Sequence, residues 1–385
     1  MSQGLERLVS SRLRSLIYLA FGVLGINFAL AIYNSTYTNF LVSALNISAF
    51  QIGALESIRE IPGLLSAFIL GSMLRFPLPS LGGSFLLIFS LGIGGVSTVD
   101  SWIQVVLWCV IWSIGFHSWG PLSSSIALGL SERKKEGKRL GQMNSVASIA
   151  GMMAMASVAV FSSFFAMQYR LFFIMAGLLP IVGGFMAFWI SPTVKTVPKT
   201  RFVFKKRYSV YYVLNFFEGA RRQMFLTFAP FALVRVYDLD VTVIALLMLA
   251  SQALSFVSSP YLGKLVDRVG PRTMLTLSYI LMIGDFLGYA LIRSVPALLV
   301  LYVLNSVLMI ASSISRTTYI HQIASSPDLT PSLAMGQTMD HVAAVTLPLT
   351  GGILWGIIGY EATFFIGVAV ATCLLITAQK IKFPS

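Results

Sequence analysis

Long apolar stretches, broken by short charged or proline- and glycine-bearing intervals, fill the chain from about residue 15 to residue 379. Runs near or above ~20 residues have the length that a helix rising ~1.5 Å per residue needs to cross ~30 Å of hydrocarbon. The breaks set spans at 15–45, 49–74, 80–98, 101–129, 140–166 and 169–191, then 208–235, 241–265, 272–292, 295–325, 333–358 and 361–379. Twelve transmembrane helices are therefore predicted, and the one polar interval long enough to be a linker is 192–207, from Pro192 to Arg207. The expected organisation is an all-α membrane protein. It has an N-terminal six-helix bundle at 1–191, a cytoplasmic basic linker at 192–207 and a C-terminal six-helix bundle at 208–385.

Composition agrees with that pattern: 56% of the 385 residues are hydrophobic and 11% charged, against roughly a quarter charged in ordinary soluble domains. One water-soluble core cannot absorb so much apolar surface. The net charge of +13 would point to nucleic acid in a soluble protein, but its placement does not. Twenty of the 27 Lys and Arg residues fall on one side of the predicted membrane, three (Arg170, Arg235 and Arg293) on the other, and four (Arg59, Arg221, Arg222 and Arg316) within spans. Basic residues are retained on the cytoplasmic side during insertion, so both termini and the linker are expected inside a multi-pass plasma-membrane protein. The excess charge then attracts anionic membrane lipids, at ~1 kcal/mol per basic residue near the surface. Arg7, Arg12 and Arg14 lead into a full-length span, which reads as an uncleaved anchor rather than a signal peptide.

Enzymatic chemistry finds no support in the motifs. The chain has no phosphate-cradling glycine loop, no HExxH and no recognisable nucleophile paired with a base. Cys109 and Cys373 lie far apart in apolar runs and form no metal-binding pattern, so no cofactor is expected. Without a nucleotide site, work must be drawn from a gradient. The halves also echo each other: Leu140-Gly141-Gln142 opens the fifth span and Met335-Gly336-Gln337 the eleventh, while Asn27-Phe28 and Asn215-Phe216 sit in the first and seventh. Such echoes suggest an internal repeat with a substrate path at its interface.

The interval after the eighth span reads Gly263-Lys264-Leu265-Val266-Asp267-Arg268-Val269-Gly270-Pro271-Arg272. This resembles the inner-loop signature of the major facilitator superfamily, G-x-x-x-D-R-x-G-x-R, in its expected place. The resemblance implies two pseudo-symmetric six-helix bundles that alternate access to a midplane site lined by spans 1, 4, 7 and 10. It also implies a gating role for Gly263, Asp267, Arg268 and Arg272 as an inner-side latch. The first half departs from the pattern, with Arg75 of Gly71-Ser72-Met73-Leu74-Arg75-Phe76-Pro77 where an acidic residue belongs. Ser145 to Ser157 of the fifth span lacks the proline-bearing stretch typical of the family's drug antiporters. The nearest match, Pro348-Leu349-Thr350-Gly351-Gly352, lies in the eleventh span.

A charge at the bilayer centre costs at least ~2.5 to 3.5 kcal/mol, so each intramembrane ionisable group needs a partner, water or a purpose. Glu56, Arg59 and Glu60 stand at i, i+3 and i+4 of the second span, and Glu218, Arg221 and Arg222 repeat the spacing in the seventh. Arg221, Arg222 and Arg316 can hold an anionic cargo, because guanidinium grips carboxylate or phosphate bidentately and stays charged. The opposing reading pairs Glu218 with Arg222 and leaves no spare charge. Glu56, Arg59, Glu60, Glu218, His117, Asp340 and His341 are the proton-coupling candidates, the imidazoles because they titrate nearest neutrality. A static ion-pair cluster is the plainer account of the second-span trio, as a helix contact is for His117. Tyr33, Asn34 and Tyr37, spaced to share a face, join Asn215 and Gln252 as hydrogen-bonding candidates for cargo. Asp285, on a peripheral span, is expected to meet a structural partner.

The sequence thus predicts a monomeric secondary transporter of a small, anionic organic solute, with protons as coupling ion. A polyspecific exporter of drugs, amphipathic compounds or lipids is the alternative, favoured by 12% aromatic residues and 16 methionines. A non-transporting membrane receptor is the remote one.

Overall fold

A computed structural model describes residues 2–73, 75–131, 136–165, 168–191 and 204–382. Most of the linker, and much of the basic interval before the fifth span, lie outside the described residues. Among the described residues there are twelve α-helices and no strand. They are α1 (Ser2–Leu45), α2 (Ala49–Met73), α3 (Leu78–Gly95), α4 (Trp102–Gly129), α5 (Glu136–Phe165), α6 (Tyr169–Ala187), α7 (Ser209–Arg235), α8 (Val241–Val269), α9 (Pro271–Leu291), α10 (Val295–Ile323), α11 (Ser326–Ile358) and α12 (Glu361–Gln379).

Ten of the twelve are long and apolar enough to cross a membrane. The other two, α2 and α7, have the length but carry Glu56, Arg59 and Glu60 in one case and Glu218, Arg221, Arg222 and Arg235 in the other. The helices that depart from membrane composition are thus the ones that hold the charged trios.

Several helix ends differ from the apolar pattern. α1 starts at Ser2, α11 starts at Ser326 instead of 333, and α8 runs on to Val269. Polar residues continue a helix when their backbone bonds are already in register, so hydropathy alone places these ends too far inward. The extension of α8 moves Asp267 and Arg268 from a loop onto its last turn, while Gly263 stays within the helix as predicted. The break comes at Gly270, whose φ of 84° suits a residue without Cβ, and Pro271 then opens α9.

The helices group into two compact units, 1–41 with 62–198 and 42–61 with 199–385. The end of α1 and the first half of α2 therefore belong with α7–α12, whereas the sequence division places all of 1–191 in one bundle. In the first unit α3 packs against α4 and α6. Trp112 is buried among Tyr33, Phe89 and Phe116, and Phe40 and Tyr33 meet Phe173. Arg170 ties the start of α6 to the α3–α4 connection through Ser97 O, Val99 O and Asp100.

In the second unit Tyr208, Tyr211, Tyr212, Leu275, Tyr279, Met282, Tyr319 and Leu374 form one buried cluster. The first half of α2 crosses α11 with backbones almost touching. A Cβ on Gly53 would lie 2.3 Å from the Pro348 carbonyl oxygen, and one on Gly352 would lie 2.3 Å from that of Ala49. Only glycine on both helices permits this approach. Ahead of the apolar part of α11, Asp328 receives Lys205 (2.7 Å), Arg207 (2.5 Å) and Tyr208 (2.9 Å), which fixes the chain entering α7. The Lys205 ammonium, helped by Tyr208, Ser325 and Arg207, holds this carboxyl well below the usual carboxylate range.

Candidate substrate and coupling site

α7 presents its charges on two faces. Arg221 donates to Glu218 Oε1 at 2.7 Å, and neither side chain is more than 3% exposed. Arg222, one residue on and about 100° around the helix, instead pairs with Asp340 of α11 and keeps 35% exposure. The Glu218–Arg222 pair of the opposing reading does not form: Glu218 takes Arg221, at i+3, and Asp340 of α11 takes Arg222. From α10, Arg316 brings Nη2 to 3.9 Å from Glu218 Oε1 and donates through Nη1 to Asn215 Oδ1. Asn215 is oriented for this by its amide, which donates to the Tyr211 carbonyl at 2.7 Å. α7, α10 and α11 therefore bring together Arg221, Arg222, Arg316, Asn215, Glu218 and Asp340: three guanidiniums against two carboxylates.

A second cluster is built where the first half of α2 meets α7 and α11. Arg59 donates to Glu56 Oε2 from Nε (2.9 Å) and Nη2 (2.5 Å) and lies 3.0 Å from Glu60 Oε1. Gln223 of α7 donates to the same Glu56 oxygen at 3.0 Å, and His341 Nδ1 of α11 lies 2.9 Å from Glu60 Oε2. Ser57 Oγ accepts the Leu349 amide at 3.1 Å, beside the glycine crossing. Two carboxylates, one guanidinium and one imidazole share this place, so it has one proton-accepting position more than fixed charge alone would fill. Asp340 and His341 point to different clusters, one to Arg222 and the other to Glu60.

The remaining sequence candidates lie elsewhere. Tyr33 and Tyr37 stack at 4.2 Å and share Cys109 Sγ at 3.2 and 3.5 Å, buried between α1 and α4, whereas Asn34 is exposed. The three do not share a face, because position 34 is about 100° away from 33. His117 packs its ring against Gly63 of α2, where an added Cβ would come within 2.8 Å of it. Gln252 is half-buried on α8. Asp267 and Arg268 are exposed at the end of α8 without a hydrogen bond or ion pair among the described residues, while Arg272 lies 3.4 Å from Gln379 of α12. Asp285 has the structural partner expected of it, Asn305 of α10, at 2.5 Å.

Gln223, Ser57 and Asn305 escaped the sequence reading. Each is a polar side chain inside an apolar span, the same signal that marked Asn215; Gln223 and Asn305 have no charged residue three or four positions away, and Ser57, three before Glu60, is overshadowed by the charged trio around it.

Residues 211–382 match the model of the Major Facilitator Superfamily. The whole chain has the fold of solved transporters. A mutant of the nucleoside transporter NupG matches with a TM-score of 0.80 at 14% identity, over 95% of this chain and 99% of that one. A bacterial homologue of the human lysosomal transporter Spinster, in an inward-facing and unoccupied conformation, matches with a TM-score of 0.76 at 14% identity, over 96% and 98%. A mutant of the peptide transporter POT matches with a TM-score of 0.75 at 11% identity, over 95% and 94%. No curated protein sequence matches significantly. The class the fold defines is that of a multi-pass helical membrane protein, with ten helices long and apolar enough to cross a membrane among the described residues. The second half of the chain thus resembles the Major Facilitator Superfamily in sequence, and the whole chain shares its fold with these solved transporters.

Proposed function

We propose that this protein is a proton-coupled carrier of a small anionic organic solute, working by alternating access as a plasma-membrane monomer with cytoplasmic termini. One observation carries the reading: the incomplete neutralisation of Arg316. Glu218 is already committed to Arg221 at 2.7 Å, and Arg316 stands at 3.9 Å from it with a neutral amide as its close partner. Three guanidiniums and two carboxylates leave one positive charge in excess, which a carboxylate or phosphate on the solute would complete. Arg222, the more accessible guanidinium, is the second anion-binding group.

Proton coupling follows from the partners. A proton taken up by Asp340 frees Arg222 for the anion, so proton and anion bind together. The Glu56–Arg59–Glu60–His341 cluster supplies a further acceptor where α2 meets α11. The nucleoside, peptide and Spinster-type transporters differ in what their names declare, so the shared fold does not choose the cargo.

Thermal-shift screening of the purified protein against carboxylate and phosphate metabolites and against cationic drugs tests this. A ligand at 100 times its dissociation constant stabilises the folded state by ~2.7 kcal/mol. Shifts with anions that vanish in Arg316→Gln support the carrier. Shifts confined to apolar or cationic compounds, unaffected by that change, overturn it in favour of a polyspecific exporter.

A further inference from the structure

Apart from both clusters, the buried contact of α9 with α10 holds a carboxyl group that transport through Arg316 does not use. Asp285 is 2% exposed and Asn305 is fully buried. Asn305 Nδ2 donates to Asp285 Oδ2 at 2.5 Å, while Asp285 Oδ1 and Asn305 Oδ1 are both buried without a hydrogen-bond partner. Phe286 beside Asp285 packs on Phe225 of α7, as do Tyr289 one turn on and Tyr302 of α10, so aromatic rings close the site.

Two orphaned oxygens on adjacent groups are what an ionised carboxylate would leave here. An unpaired buried acceptor costs about 1–3 kcal/mol, and an isolated buried charge far more. One proton removes both defects. A neutral carboxyl and a primary amide pair head to head, the amide N–H donating to one acid oxygen and the acid O–H donating to the amide oxygen. The geometry points to Asp285 as a proton-binding site, neutral when its second oxygen closes a double hydrogen bond with Asn305.

The charged and titratable groups facing it are few. From α7 the field of Arg221 reaches it; the tyrosines are Tyr289 on α9 and Tyr302 on α10. α12 offers Phe364 and Gly367 to this part of α9. Arg221 sits one turn before Phe225, on the face of α7 that meets α9 and α10, and its Nε and Nη1 are themselves buried without partners. The ionised state therefore has a partner in waiting. When Asp285 gives its proton to water, the free N–H groups of Arg221 can turn to it, which loosens Arg221 from Glu218 and lets Arg316 close the 3.9 Å gap. Protonation at a peripheral helix contact would in this way set the charge balance of the α7–α10 network.

Infrared difference spectroscopy of the whole protein in liposomes tests the site without any transported solute. A protonated-carboxyl C=O band is expected at neutral pH, shifted in deuterated water, lost in Asp285→Asn and retained in Asp340→Asn. Asp285→Asn should also melt at the wild-type temperature, because an amide reproduces the head-to-head pair. If that variant does not fold, Asn305→Ser serves instead: the band should persist but move, since the acid loses its amide partner. A spectrum without the band at neutral pH, or one unmoved by either variant, overturns the proposal. Neither result depends on whether Arg316 binds an anion.

Discussion

Replacing Arg59 by Gln removes the guanidinium that Glu56 and Glu60 share, and its cost can be worked from the contacts. Arg59 makes two hydrogen bonds to Glu56 and one close ion pair to Glu60, at side-chain exposures of 17%, 12% and 6%. Breaking a buried pair by deleting one partner costs about 3–5 kcal/mol, because a bare charge stays behind. Residual exposure and the Gln223 and His341 contacts place this case near the low end, at about 3 kcal/mol. The signature lies in the double change. Glu56→Gln with Arg59→Gln leaves Glu60, beside His341, as the one carboxylate of the cluster, so it strands one charge fewer than the single change and should recover about 2 kcal/mol of the loss. Reversible unfolding in mixed micelles with rising sodium dodecyl sulfate, read by tryptophan fluorescence, measures all three proteins. A single change costing under about 1 kcal/mol, or a double change costing more than the single, would refute the reasoning.

Other outcomes follow from single contacts. Gly219→Val places its Cβ where a Cβ would already lie 2.3 Å from the Asp340 carbonyl oxygen. It should push α7 from α11, cost about 1–3 kcal/mol in the same assay, and break the Arg222–Asp340 pair. Cys109 is buried under Tyr33 and Tyr37 whereas Cys373 is half-buried, so a membrane-permeant maleimide followed by mass spectrometry should label Cys373 first. Asp328→Asn should release the chain entering α7 and lower the melting temperature. The folded carboxyl sits below its unfolded value, so its stabilisation is complete above pH ~4 and lost only as pH falls through the lower folded value. The gap between wild type and variant should therefore match at pH 6 and pH 8 and narrow only in strong acid.

The helices were legible because the bilayer imposes one length and one composition on them. Ten spans declare themselves by hydropathy, and the charged pair α2 and α7 by the runs on either side of their charges. The ends that failed, at α8 and α11, are polar turns continuing an apolar helix, where hydropathy has nothing to report. The two charged clusters were legible in part as residues, from their helical spacing, and not as partners. Glu218 could reach either Arg221 or Arg222, and the choice fell to Asp340, 118 residues beyond Arg222. Glu60 and His341, 281 residues apart, meet because Gly53 and Gly352 let two backbones touch. No local pattern encodes that meeting. Asn34 misled for a simpler reason, since neighbours in a helix never share a face.

The most direct measurement of the central claim is flux. Proteoliposomes loaded with an anion selected by thermal shift, under an imposed proton gradient, would be compared for wild type and Arg316→Gln. The account predicts gradient-driven anion movement with proton uptake in the wild type and neither in the variant, although the variant remains folded. Equal flux in both proteins, or binding by the wild type with no flux at all, would contradict it.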